Sequence, residues 1–92
     1  MISAFVLISA EPARIAGLGS ELASVEGVVE AHSVAGSSVA LVVKIWVKTH
    51  EDVATVVTEK ISQLPGVTNT QTLISFRQYN DAEMAAMYDF VE

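Results

Sequence analysis

The feature that most constrains this chain is an internal repeat. Laying Gly27-Val28 on Gly66-Val67, a shift of 39 residues, also superposes Leu18 on Val57, Leu22 on Ile61, Val25 on Leu64 and Val34 on Leu73. In each half an apolar stripe at helical spacing ends on glycine and is followed by a β-rich run. Two copies of one helix-then-strand unit leave few topologies open to a chain of 92 residues.

Each half can be read element by element. Ile2 to Ser9 places Ile2, Ala4, Val6 and Ile8 on one face and Phe5 and Leu7 on the other, so it reads as a central strand, apolar on both sides. After Glu11-Pro12, Ile15, Leu18, Leu22 and Val25 recur at helical spacing as far as Gly27, where a left-handed residue can end a helix. Gly17 and Gly19 inside that helix each cost about 1 kcal/mol relative to alanine, so the helix must lean on tertiary packing. Val28 to Ala35 and Val39 to Lys48 are β-rich runs joined by Gly36-Ser37-Ser38, which predicts an antiparallel hairpin.

The second helix is better marked. Thr49 with Asp52 three residues on resembles a capping box, and Val53, Val56, Val57, Ile61 and Leu64 form its stripe up to Pro65-Gly66. A last strand is predicted from Val67 to about Tyr79, with Thr68, Thr70, Thr72, Ile74 and Phe76 on one face and Val67, Asn69, Gln71 and Leu73 on the other. From Asp81 onward, Met84, Met87, Tyr88 and Val91 fall at helical spacing. The expected organisation is one domain over 1–79 and a C-terminal helical tail over 80–92.

The pattern predicts an α+β, ferredoxin-like βαββαβ fold: a four-stranded antiparallel sheet with both helices on one face. The chain is 51% hydrophobic, with no run approaching the roughly 20 residues of a membrane span, so the surplus points to a buried interface. On the third strand Ala40, Val42 and Trp46 lie opposite Leu41, Val43, Ile45 and Val47, so the face without helices needs a cover. The same face of a second copy supplies one, as in a dimeric α/β barrel, with Val42 and Trp46 as expected interface residues.

Composition narrows the function. Eleven acids against five scattered bases, Arg14, Lys44, Lys48, Lys60 and Arg77, argue against direct nucleic-acid binding. No cysteine is present, so disulfide and thiolate chemistry are excluded. The N-terminus lacks the pattern of a signal peptide, and the chain reads as cytoplasmic, without a membrane partner. His32 and His50 lie on different elements without paired ligand spacing, so neither a metal nor another cofactor is expected. Glu51 and Asp52 are explained by the positive end of the helix dipole, and no catalytic set is apparent.

The residues Val25-Glu26-Gly27-Val28, Val34-Ala35-Gly36, Val57-Thr58-Glu59-Lys60-Ile61 and Leu64-Pro65-Gly66-Val67 followed by Thr70-Gln71-Thr72 carry a resemblance. Together they resemble the effector-binding domain of the Lrp/AsnC feast/famine transcriptional regulators, the regulation of amino-acid metabolism domain. The resemblance covers residues 1 to about 79. Regulators of this family carry a helix-turn-helix domain before the sensing domain, whereas here the first strand starts within two residues of Met1. The resemblance therefore implies a stand-alone sensing and oligomerisation module, forming homodimers that can build tetramers or octameric rings. It also implies an amino acid or related small-molecule effector bound between dimers, with full-length regulators of the same family as possible partners.

Carried onto this sequence, the family site comprises Gly36, Ser37 and Ser38 at the hairpin and Thr70 and Thr72 on the last strand. The family usually follows the glycine with an aromatic residue and an aspartate; here Ser37-Ser38-Val39-Ala40 follows Gly36. An α-ammonium group in a partly dry site needs a carboxylate or several carbonyl acceptors. Either the ligand differs, or backbone groups bind it, or the site is vestigial. Read without the resemblance, Gly36 to Ser38 make a hairpin turn and the threonines are ordinary strand residues. Trp46 could stack on a ligand, though a lone aromatic on an uncovered sheet is more often an interface anchor. The rival functions are a small monooxygenase-like enzyme on the same dimeric fold and a ligand-free structural assembly protein.

Overall fold

The computed structural model describes residues 1–79. Its elements follow in the order β1 (Ile2–Ala10), a 3₁₀ turn (Pro12–Arg14), α1 (Ile15–Ala23), β2 (Val28–Ser33), β3 (Leu41–Val47), α2 (His50–Ala54, continued as a π-helical segment over Thr55–Ile61) and β4 (Val67–Ile74). The strands form one antiparallel sheet in the order β2-β3-β1-β4, the predicted ferredoxin-like arrangement. The helical tail expected over 80–92 lies outside the described residues.

The core forms on the helix side. Ala4, Val6 and Ile8 of β1 and Leu41, Val43 and Ile45 of β3 are buried against Leu18 and Leu22 of α1 and Val53, Val56 and Ile61 of the second helix. The repeat is visible in the backbone. Gly27 and Gly66 share φ +97°, and in each half the first N–H of the following strand bonds back three residues, Val28 to Val25 O and Val67 to Leu64 O. A residue with a Cβ is strained at such a φ, so both glycines are required to end the helices and start β2 and β4.

Thr49 caps α2 as read from the sequence. Its Oγ1 accepts from the Asp52 N–H at 3.0 Å while the Asp52 carboxylate accepts from the Thr49 N–H at 3.2 Å. Replacing Thr49 by alanine is expected to cost about 1 kcal/mol of stability, measured by urea unfolding.

Four expectations need correction. The second helix does not stay α-helical: past Ala54 its turns widen, and the Ser62 N–H bonds to Val57 O at 2.9 Å. The wider turn suits the five-residue step between the buried Val56 and Ile61; an α-helical step would turn Lys60 inward instead. The last strand stops at Ile74, not Tyr79, because its partner β1 begins at Ile2 and pairing runs out, with Ser75 N–H donating to Ser3 O as the final rung. β2 and β3 stop at Ser33 and Leu41, so residues 34–40 form a longer connection than a tight turn, closed by Val34 N–H on Ala40 O at 2.9 Å. A register shift between Ser9 and Ala10 moves Val67 to the helix side, away from Asn69, Gln71 and Leu73.

Candidate ligand-binding site

The sheet face turned away from the helices is set by register. One cross-strand row is His32, Val42, Leu7 and Gln71; the next is Glu30, Lys44, Phe5 and Leu73; a third pairs Trp46 with Ser3. Val42 and Leu7 are half-buried at the centre, while Phe5, Trp46 and Leu73 are 40%, 51% and 51% exposed, a large apolar area for a single small domain. The face is not apolar throughout, as the strand reading had it. Lys44 sits between Val42 and Trp46 on β3, and His32 Nε2 lies 3.5 Å from Glu30 Oε2 at the β2 edge. The signal was present in the sequence as a lysine in phase with Val42 and Trp46.

The predicted ligand residues sit at the end of the sheet where β1 finishes. Gly36 adopts φ +107°, with nothing within 4 Å of the place a Cβ would occupy, so glycine is needed there for its backbone angle and not for space. The Ser37 hydroxyl oxygen accepts from the Val39 N–H at 3.0 Å, which holds the turn and leaves its O–H able to donate outward. Ser38 is exposed. The Ala40 N–H donates to Ile8 O at 2.8 Å, and Ile8 is the cross-strand partner of Thr70. The hairpin and Thr70 thus flank β1 from opposite sides. Thr72 pairs with Val6, one step further in, and both threonines share the helix-side phase of β4.

None of four clefts lined by described residues holds both the hairpin and the threonines. Thr70 lines one of about 230 Å³ with Ser62, Val67, Thr68 and Asn69. A groove of about 520 Å³ runs between α1 and β2 past Ile15, Gly19, Ala31 and Leu41. A third of about 290 Å³, lined by Ser3, Phe5, Lys44, Ser75, Arg77 and Gln78, opens at Phe5 and Lys44 of the helix-free face. The fourth, of about 390 Å³, lies at the other end of the sheet, where Trp46, Val47 and Lys48 meet the second helix. Among the described residues no three His, Asp or Glu side chains converge as a metal site, and no helix is long and apolar enough to cross a membrane.

A βαββαβ domain with one covered and one partly apolar open face defines the class: a ferredoxin-like α+β domain of the kind found in Lrp/AsnC-type regulators. The chain belongs to the Lrp/AsnC ligand binding domain family, whose pattern it matches over residues 3–85. Among solved structures it is similar to TTHA0845 from Thermus thermophilus, at 41% identity and a TM-score of 0.83, the match covering 88% of this chain and all of that one. It is also similar to the hypothetical protein PHS023 from Pyrococcus horikoshii, at 29% identity over 86% of this chain and 94% of that one, with a TM-score of 0.77. A feast or famine regulatory protein from M. tuberculosis, complexed with L-methionine, shares the fold at 23% identity and a TM-score of 0.73; the match covers 89% of this chain and 54% of that regulator. A comparison with curated proteins finds no match.

Proposed function

We propose that this chain is a ligand-binding and oligomerisation module that takes an amino acid or a related small metabolite and regulates amino-acid metabolism through assembly with partners. The observation that carries the reading is the match to the Lrp/AsnC ligand binding domain over nearly the whole chain. The open sheet face supports the oligomeric part. Leu7, Val42, Phe5, Trp46 and Leu73 need a cover, and a second copy presents the same residues in return. In this reading Val42 and Trp46 lie in a homodimer interface, dimers associate further into tetramers or rings, and full-length regulators of the family can enter mixed assemblies. The module acts in the cytoplasm and is not an enzyme.

The effector sits between dimers at the hairpin end, with Gly36, Ser37 and Ser38 on one side of β1 and Thr70 and Thr72 on the other. A neighbouring dimer closes the gap that β1 leaves between them in one protomer. Backbone N–H groups and serine hydroxyls supply donors for a carboxylate, and carbonyl oxygens take the place of the missing aspartate for the ammonium group. Methionine is the first probe, because the M. tuberculosis relative and a transcriptional regulator from Neisseria meningitidis were each solved with it.

The test is a thermal-shift screen of the common amino acids, with oligomer mass followed by light scattering. A ligand at about 100 times its dissociation constant adds about 2.7 kcal/mol, which raises the melting temperature of a domain this small by roughly 10–20 °C. No shift and no change of mass with any amino acid would leave the ligand-free assembly reading in its place.

A further inference from the structure

We propose that the cleft at the Met1 end of the sheet is a separate ligand site that takes a small carboxylate with an apolar body. It lies far along the strands from the hairpin: Val47 and Trp46 pair with Ile2 and Ser3, whereas the hairpin is tied to Ile8. The proposal does not rest on the amino-acid reading of that other end. The volume of about 390 Å³ falls within the range of small-ligand pockets, roughly 300–1,000 Å³.

Charge distribution is the first argument. The protein has five bases in all, and two of them, Lys48 and Lys60, line this one cleft. Neither makes an ion pair among the described residues, whereas Arg14 is engaged by Glu21 at 2.7 Å. Two acids also line the cleft: Asp52 accepts from the Thr49 N–H and caps the helix, and Glu26 forms no ion pair with either lysine. Two ammonium groups that make no ion pair among the described residues are suited to an anion from solution.

Shape is the second. The π-helical segment places Lys60 five residues after Thr55 on a turn wide enough to bring both to the same side, so the irregularity that keeps Lys60 out of the core also delivers it to the cleft. Met1, Val47 and Val56 give the cleft an apolar wall. At Gly27 an added Cβ would lie 3.1 Å from the methyl groups of both Val47 and Val56, so that side is already closely filled. A carboxylate accepts from the two lysines while its apolar body displaces water from Val47 and Met1.

Trp46, the only tryptophan, is among the lining residues and reports on occupancy. The wild-type protein is titrated with 4-methyl-2-oxopentanoate while Trp46 emission and oligomer mass are followed; acetate and inorganic phosphate are titrated in parallel. A saturable emission change at constant mass is expected. Acetate should bind about tenfold or more weakly for want of the apolar body, and the Lys48→Gln/Lys60→Gln double variant, folded by circular dichroism, should lose about tenfold or more in affinity. The proposal is overturned by the absence of a saturable change, by a change that survives the double variant, or by phosphate or acetate binding as tightly as the larger acid.

Discussion

Replacing Val42 by lysine is expected to reduce the protein in light scattering to the mass of a single chain, 9.8 kDa, while its circular dichroism stays native. Val42 is half-buried at the centre of the open face, with Leu7 opposite it on one side and His32 on the other. Neither neighbour offers a carboxylate. Lys44 lies two residues on in the same phase, so the new charge meets a like charge within the chain and, across a symmetric contact, in its partner. Burying an uncompensated ammonium costs on the order of 3 kcal/mol or more, and a two-fold interface incurs it twice. The helix-side core is untouched, because Val43 and not Val42 points into it. Val42→Thr, polar but uncharged, should weaken association far less. A Val42→Lys protein that keeps the wild-type oligomer mass would place the interface elsewhere and remove the main support for a sheet-to-sheet dimer.

The second large effect is expected at Gly66. A Cβ there would stand 2.6 Å from Arg14 Cγ and 2.7 Å from Arg14 Cβ, on a backbone already at φ +97°. Arg14 cannot move freely, since its Nε donates to Pro65 O at 3.0 Å, its guanidinium meets Glu21 at 2.7 Å, and the Glu11 N–H nearby donates to Gly66 O at 2.9 Å. These contacts pin the entry to α1 against the start of β4. Gly66→Ala should therefore destabilise by about 2–3 kcal/mol, combining backbone strain with displacement of the arginine. Arg14→Ala alone should cost less than about 1 kcal/mol, because its ion pair is partly exposed. In the double variant the clash with Cγ is removed, while the clash with the Cβ that alanine keeps and the backbone strain both remain, so the two losses should fall short of additive by about 0.5 kcal/mol in urea unfolding. Strict additivity would mean that the arginine side chain beyond its Cβ contributes nothing to the loss.

The sheet order and the helix-side core were legible because they depend on period. Ala4, Val6 and Ile8, or Leu41, Val43 and Ile45, can bury only one way once two helices with matching stripes must cover a sheet. The capping box at Thr49 was legible for a different reason: both of its partners lie within one turn. The candidate site was less so. Gly36, Ser37 and Ser38 can be named from a motif, but that Thr70 and Thr72 lie across β1 from them depends on strands paired over long separations. The cleft with Lys48 and Lys60 left no sequence signal at all, since Met1, Gly27, Trp46 and Lys60 belong to four different segments.

What the sequence determined by itself was local and periodic: the repeated helix-to-strand unit, the glycines that must turn left-handed at positions 27 and 66, the cap of the second helix, and which residues share a face. What only the tertiary structure decided were the departures from period. The π-helical turns that keep Lys60 from the core, the shift at Ser9 that carries Val67 to the helix side, and the early ends of β2 and β4 each come from fitting one element against another. Such fits depend on volumes and hydrogen-bond partners distant in sequence, and a repeating pattern along one chain carries no record of them.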